Sequence, residues 1–123
     1  MKDDFHHREL GNMGEDLAVE YLAAKGYRIL HRNWHYGHKE LDIVARDKEM
    51  LVVVEVKTRA SDYWEEPKDA VRFRKQKTIV EAADAYVQNY SIDSEVRFDI
   101  VSILFQGQKH TIEHIEDAFY PTL

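Results

Sequence analysis

The sequence predicts an α/β sandwich in which helices cover a single mixed β-sheet, with elements in the order αβββαββ. Apolar residues recur at helical spacing in two segments. Five other segments are short and rich in the apolar and β-branched residues typical of strands. The 123 residues are 44% hydrophobic, which suits one packed domain that spans residues 1–123.

The two helices are predicted from apolar stripes. The first covers residues 9–26, where Gly26 supplies a stop signal, and we expect residues 1–8 to be flexible. The second covers residues 68–90 and follows Pro67, which suits a first helical turn. The first stripe consists of Leu10, Met13, Leu17, Ala18, Tyr21 and Leu22, and the second of Ala70, Val71, Ile79, Val80, Ala82, Ala83, Tyr86 and Val87.

Five strands are predicted, separated by a turn, by loops around Gly37 and Gly107 or by the second helix. The third strand is the richest in Val, as expected for a central strand that is covered on both faces. The fifth is expected at an edge of the sheet. The segments are 27–33, 40–46, 50–58, 96–105 and one that begins at Lys109.

Composition excludes several classes of function. The chain has no cysteine, which rules out disulfides, zinc–thiolate sites and cysteine nucleophiles. Its N-terminus lacks the apolar core of a secretory signal, and no apolar run approaches the roughly 20 residues that span a bilayer. We therefore expect a cytoplasmic protein that does not enter a membrane.

Charge is distributed unevenly within a net charge of -6. Residues 1–80 hold 15 basic and 15 acidic side chains, whereas residues 81–123 hold 2 and 8. Residues 68–77, on the second predicted helix, hold five basic side chains and one acidic one. This stretch is either a local nucleic-acid-binding surface or an ordinary solvated helix face. The candidate contacts are Arg72, Arg74, Lys75, Gln76 and Lys77.

Charged residues interrupt the predicted hairpin of strands two and three. Asp42 lies on one strand, and Glu55 and Lys57 lie on the next. Side chains alternate along a strand, and directly paired residues project to the same side. If the turn spans residues 47–50, Asp42 pairs with Glu55, and a two-residue turn also keeps them on one face. A three-residue turn separates them unless a bulge intervenes.

Two neighbouring carboxylates raise each other's pKa and are costly to bury without a partner. Lys57 would neutralise one of them, and a divalent cation such as Mg²⁺ would neutralise both. Acids, lysine and metal together form a hydrolytic site for a phosphodiester. The competing interpretation is a salt-bridge network of purely structural value.

The wider sequence resembles a known family. Asp42 followed by Glu55-Val56-Lys57 resembles the PD-(D/E)xK motif of restriction-endonuclease-like proteins. Over nearly the full length the chain resembles the YraN family, uncharacterised protein family 0102, through residues 11–33, the hairpin, the P-x-x-AV segment at 67–71 and RFDIV at 97–101. Where that family commonly has Gly-Glu-Ile-Asp, this chain has Lys-Glu-Leu-Asp, ending at Asp42.

The resemblance implies a three-layer restriction-endonuclease-like sandwich and a nuclease dependent on Mg²⁺ or Mn²⁺. By resemblance, Asp42 and Glu55 are metal ligands and Lys57 is the catalytic lysine. Glu15 is a third carboxylate, by similarity to Holliday-junction resolvases. The implied partner is nucleic acid, DNA rather than RNA, and a homodimer would supply two sites for two cuts. The alternative is an inactive binding module with the same fold.

Arg59 and two histidines lie outside the motif on the predicted strands. Arg59 should share the strand face of Lys57, so we expect it to contact phosphate. His110 and His114 should share a face of the last strand, but no third ligand accompanies them. We therefore expect both histidines to be ordinary surface residues.

Overall fold

The computed structural model describes residues 2–60 and 73–120 of the chain, with side chains from residue 8 onward. The predicted order of helices and strands is confirmed. Helix α1 begins earlier than predicted, so residues 2–8, expected to be flexible, have helical backbone. The elements are α1 Lys2–Ala24, β1 Arg28–Tyr36, β2 Lys39–Asp47, β3 Met50–Ala60, α2 Phe73–Asn89, β4 Val96–Gln106 and β5 Lys109–Phe119.

The five strands form one mixed sheet in the order β1-β2-β3-β4-β5. β3 is central and β5 lies at an edge, as the sequence predicts. Strands β3 and β4 are parallel, and all other neighbours are antiparallel. A parallel pair requires a crossover connection, and α2 lies within that connection.

The two helices cover opposite faces of the sheet and create two apolar cores. Alternation along β3 divides its valines between them, which explains why this strand is apolar on both sides. No helix within the described part of the chain is long and apolar enough to cross a membrane. The α1 core contains Ala18, Leu22, Tyr27, Ile43, Ala45, Val52, Val54, Val101 and Ile103. The α2 core contains Leu41, Val44, Leu51, Val53, Ile79, Ala82, Ala83, Tyr86, Phe98, Ile100 and Phe119.

The end of α1 shows why the stop signal was a glycine. Gly26 has a φ of 97°, in the left-handed region that glycine adopts without a Cβ penalty. The next N–H, that of Tyr27, donates to the carbonyl oxygen of Leu22 at 3.0 Å. This turn redirects the chain from α1 into β1.

Candidate functional site

Strands β2 and β3 stop pairing where the two predicted acids lie. Their ladder runs from the pair Asp47 and Met50 to the pair Ile43 and Val54. At the next position the Val56 N–H donates to Asp42 Oδ2 at 2.9 Å, and the Asp42 N–H donates to Glu55 Oε2 at 3.4 Å. Each carboxylate thus accepts an N–H from the opposite strand. We call this place, formed by Asp42 and Glu55, the strand fork.

The hairpin register that gathers these acids is confirmed. Arg46 pairs with Leu51, as expected for a turn spanning residues 47–50. Lys48 occupies that turn with a φ of 57°. The acids therefore meet because the turn fixes an even-numbered register, not because they are close in sequence.

Burial shapes the chemistry of the strand fork. The Glu55 side chain is only 6% exposed, and Asp42 is half-buried. Burial raises the pKa of Glu55 well above its ordinary value, and the charge of Asp42 raises it further. Burial also raises the pKa of Asp42, against the hydrogen bond from the Val56 N–H. The protein therefore disfavours the charged forms of both carboxylates when no other cation is bound.

Helix α1 brings a third acid toward the fork. Gly14 packs against Thr58 so closely that a Cβ on this glycine would stand 2.1 Å from Thr58 Oγ1. The next residue, Glu15, has an 81% buried side chain. Burial raises its pKa, and so does the nearby charge of Asp42, while a hydrogen bond with Asn33 lowers it. Glu15 is therefore an electrostatic neighbour of Asp42, which in turn interacts with Glu55.

Two lysines, Lys57 of β3 and Lys75 of α2, lie on the face of the sheet that α2 covers. Strand alternation places Lys57 and Arg59 on the same face as Glu55. Lys57 is half-buried, and Arg59 is 8% exposed, so its guanidinium lies mostly inside the protein. The ion pair to Glu55 comes from α2, where Lys75 Nζ lies 3.9 Å from Glu55 Oε1. The sequence had suggested Lys57 for this neutralising role.

Residues 73–77 of the basic stretch form the start of helix α2, whereas residues 68–72 of the predicted helix lie outside the described residues. Arg74, Lys75 and Lys77 are exposed, and Gln76 is half-buried. Arg72 lies outside the described residues. The exposed cations stand on the same side of the sheet as Glu55, so this helix face can meet a polyanion that approaches the strand fork.

A second group of carboxylates lies on the α1 face. Asp99, His114 and Glu116 each offer a ligand atom within 4.8 Å of the others, the one such set of three in the described part of the chain. The three acids Glu15, Asp42 and Glu55 do not converge this tightly. Judged by distances alone, the metal centre would lie here and not at the strand fork.

An arginine already occupies this second group. Arg97 Nε and Nη2 donate to the two oxygens of Asp99, each at 2.9 Å, and Arg97 Nη2 lies 3.1 Å from Glu116 Oε1. His114 Nε2 donates to Asp99 Oδ2 at 2.8 Å. A cation would have to displace the guanidinium from a fully buried carboxylate. We call Arg97, Asp99, His114 and Glu116 the arginine-bound cluster.

The expectation for His114 was wrong. Its side chain is 2% exposed and lies between two partners, with Nδ1 at 3.0 Å from Lys25 Nζ and Nε2 at 2.8 Å from Asp99 Oδ2. The sequence carried a signal that we did not use. Arg97 and Asp99 interrupt an apolar strand two residues apart, as Glu55 and Lys57 do.

The fold and the strand fork together identify the class of protein. This is a restriction-endonuclease-like α/β sandwich with two carboxylates where strands β2 and β3 separate. The model of "Uncharacterised protein family UPF0102" matches residues 14–103. The chain therefore belongs to the UPF0102 family, which is the YraN family.

Relatives in this family are similar over most of their length. The UPF0102 protein of Phocaeicola vulgatus is 50% identical over 117 residues, which cover 95% of this chain and 97% of the relative. The UPF0102 protein of Parabacteroides distasonis is 51% identical over 112 residues, or 91% and 93% of the two chains. The UPF0102 protein of Flavobacterium psychrophilum is 46% identical over 114 residues, or 93% and 96%.

Proposed function

We propose that this protein is a metal-dependent nuclease that hydrolyses phosphodiester bonds of DNA, with branched or otherwise structured DNA as the expected substrate. The observation that carries the proposal is the strand fork, where buried Glu55 and half-buried Asp42 both have a raised pKa and lie near Lys75 at the basic end of α2. Buried, incompletely neutralised carboxylates are costly, so their presence indicates a functional site.

The strand fork has the donor set that Mg²⁺ or Mn²⁺ prefers. Asp42 and Glu55 would hold the cation, and Glu15 would supply a third carboxylate from α1. The oxygens already attract a cation, since the Lys75 ammonium stands 3.9 Å from Glu55. When bound, the metal would supply Lewis-acid activation of the phosphodiester and of a water molecule.

The chain's own residues have separate roles in this proposal. Lys57, on the face of Glu55, would stabilise the negative charge that develops at phosphate. Arg74, Lys75, Gln76 and Lys77 would contact the DNA backbone from α2, together with Arg72. Arg59 would contribute only if its buried guanidinium turned outward. A homodimer in the cytoplasm would place two such sites on one DNA substrate.

One observation favours a second function. The fork acids already accept backbone N–H groups, and Lys75 already offsets part of their charge. The same arrangement would serve a module that recognises DNA ends or junctions without cleaving them. Measuring DNA cleavage therefore distinguishes a nuclease from a binding module.

The test is cleavage of supercoiled plasmid and of four-way junctions in Mg²⁺, Mn²⁺ or EDTA. We expect metal-dependent nicking that Lys57→Ala and Asp42→Asn reduce at least about 100-fold, the loss typical of removing one electrostatic catalytic group. Lys48→Ala, in the exposed β2–β3 turn, is the matched control and should cleave normally. Metal-dependent DNA binding without cleavage would support the binding module. Absence of both activities would reject both functions.

A further inference from the structure

Lys75 forms an unusual ion pair for an exposed lysine. Its side chain is 55% exposed, whereas that of its partner Glu55 is 6% exposed. The ammonium therefore reaches from solvent to the rim of a buried site. Most exposed ion pairs join two solvated groups and contribute little. Here one partner cannot be solvated, so a nearby cation matters more to it.

The influence of Lys75 extends to both acids of the strand fork. The Asp42 N–H donates to Glu55 Oε2 at 3.4 Å, so an ammonium 3.9 Å from Glu55 Oε1 stands beside the pair and not beside one isolated acid. It is thus the lysine that partly neutralises the pair when no other cation is bound. A long, flexible lysine stem can also withdraw into solvent at small cost.

We propose that Lys75 is an exchangeable counter-ion of the strand fork, which a divalent cation displaces so that the freed ammonium contacts a DNA phosphate. The proposal rests on the proposed function, since it assigns the metal to Asp42 and Glu55. It deepens that function by making metal loading and phosphate binding depend on one another. The exposed neighbours Arg74 and Lys77 show that the released ammonium would join an existing basic surface.

Competition between Lys75 and metal is tested by calorimetric titration of Mn²⁺ and Mg²⁺ without DNA. Lys75→Met removes the charge and keeps the apolar stem. Because the competing ammonium is gone, we expect the metal Kd to fall about two- to fivefold, the scale of one partly exposed ion pair. Lys77→Met is the matched control, since Lys77 acts on Glu81. An unchanged or higher Kd in Lys75→Met, or an equal fall in both variants, overturns the proposal.

Thermal unfolding in EDTA separates this proposal from the proposed function. Without metal, we expect Lys75→Met to lower Tm by about 1–4 °C relative to Lys77→Met, because the carboxylate pair loses its counter-ion. Saturating Mg²⁺ should remove that difference. No difference in EDTA overturns the counter-ion role. Wild-type protein that binds no metal through Asp42 would instead reject the proposed function, whatever the EDTA result.

DNA binding tests the fate of the freed ammonium. Ca²⁺ takes oxygen ligands as Mg²⁺ does, so it can load the fork while binding is measured. With Ca²⁺, Lys75→Met should weaken DNA binding and reduce the salt dependence by about one phosphate contact. In EDTA the same substitution should have less effect, because the ammonium is held by Glu55. An equal loss in both conditions overturns the exchange.

Discussion

Buried carboxylates have opposite pKa shifts in the strand fork and in the arginine-bound cluster. Asp99 is fully buried, and burial alone would raise its pKa, but hydrogen bonds from His114 and Arg97 and from the Asp117 N–H lower it. Glu55 is almost as buried, yet its pKa is raised well above the ordinary value. Its contacts include a long one from the Asp42 N–H at 3.4 Å and an ammonium at 3.9 Å.

This difference fits the proposed function, in which the arginine-bound cluster is structural and the strand fork binds a ligand. In the arginine-bound cluster the charges are matched inside the protein, and the Arg97 guanidinium also contacts Tyr27 and Glu116. The Tyr27 hydroxyl donates to Glu116, and burial raises the pKa of Tyr27 to about 12. At the strand fork burial raises the pKa of both acids, so their charged forms are only partly stabilised by the protein. A site that still needs positive charge is the one prepared for a ligand.

The largest expected effect is on the arginine-bound cluster. Asp99→Asn should destabilise the protein by about 3–5 kcal/mol, because it leaves the buried Arg97 charge without its bidentate partner. Urea unfolding measures the loss, with the exposed Asp93→Asn as control. If Asp99→Asn unfolded like the control but lost its response to Mg²⁺, the arginine-bound cluster would be the metal site. Its structural role in the comparison above would then be wrong.

A smaller loss is expected where α1 meets β3. Gly14→Ala would place a Cβ 2.1 Å from Thr58 Oγ1, so we expect about 1–3 kcal/mol of destabilisation and displacement of Glu15 from the fork. Gly11→Ala is the control on the same helix, since nothing lies within 4 Å of its added Cβ. It should be neutral or slightly stabilising.

A double variant shows whether this close approach is the cause. Thr58→Ala removes the clashing hydroxyl and should restore part of the stability of Gly14→Ala. Metal affinity measured in the same variants reports whether Glu15 belongs to the site. If the losses of stability from Gly14→Ala and Thr58→Ala simply add, the close approach is not the cause. If metal affinity is also unchanged, Glu15 is an ordinary helix acid outside the site.

The smallest expected effect is a gain in stability and not a loss. Glu55→Gln should stabilise the protein by about 1 kcal/mol at neutral pH, because it removes a buried, incompletely neutralised charge. Cleavage and metal-induced stabilisation should both be lost. Thermal unfolding is the measurement, and Glu49→Gln in the exposed turn is the control. A fall in stability would favour the salt-bridge interpretation of these acids.

The pH dependence sharpens the same comparison. Because the pKa of Glu55 is raised, the native state keeps this proton above pH 4.5, where the unfolded chain releases it. The stability of the wild type therefore falls as pH rises between 4.5 and the raised pKa, and the advantage of Glu55→Gln appears over that window. Asp99 behaves in reverse: its contribution is present above its ordinary value of 3.8 and is lost as pH falls through its lowered pKa.

Much of the fold followed from local patterns. Helical spacing and strand alternation predicted two helices and five strands, and the valines of β3 predicted its central place. The start of α1 was missed, since residues 2–8 lack the apolar stripe on which the prediction relied. The arginine-bound cluster was missed because Arg97 and Asp99 meet His114 only after β4 and β5 pair.

By itself, the sequence determined that Asp42 and Glu55 share a face if the turn has an even number of residues, because alternation along a strand is a local property of the chain. The observed pairing of Asp47 with Met50 selects that register. Only the tertiary structure decided which basic side chains form ion pairs with which acids. Lys75 reaches Glu55, and Arg97 reaches Asp99 together with His114. Those contacts depend on where helix α2 and strand β5 pack against the sheet. Long-range packing of this kind has no signature in residue spacing, since it is set by the summed fit of two apolar cores.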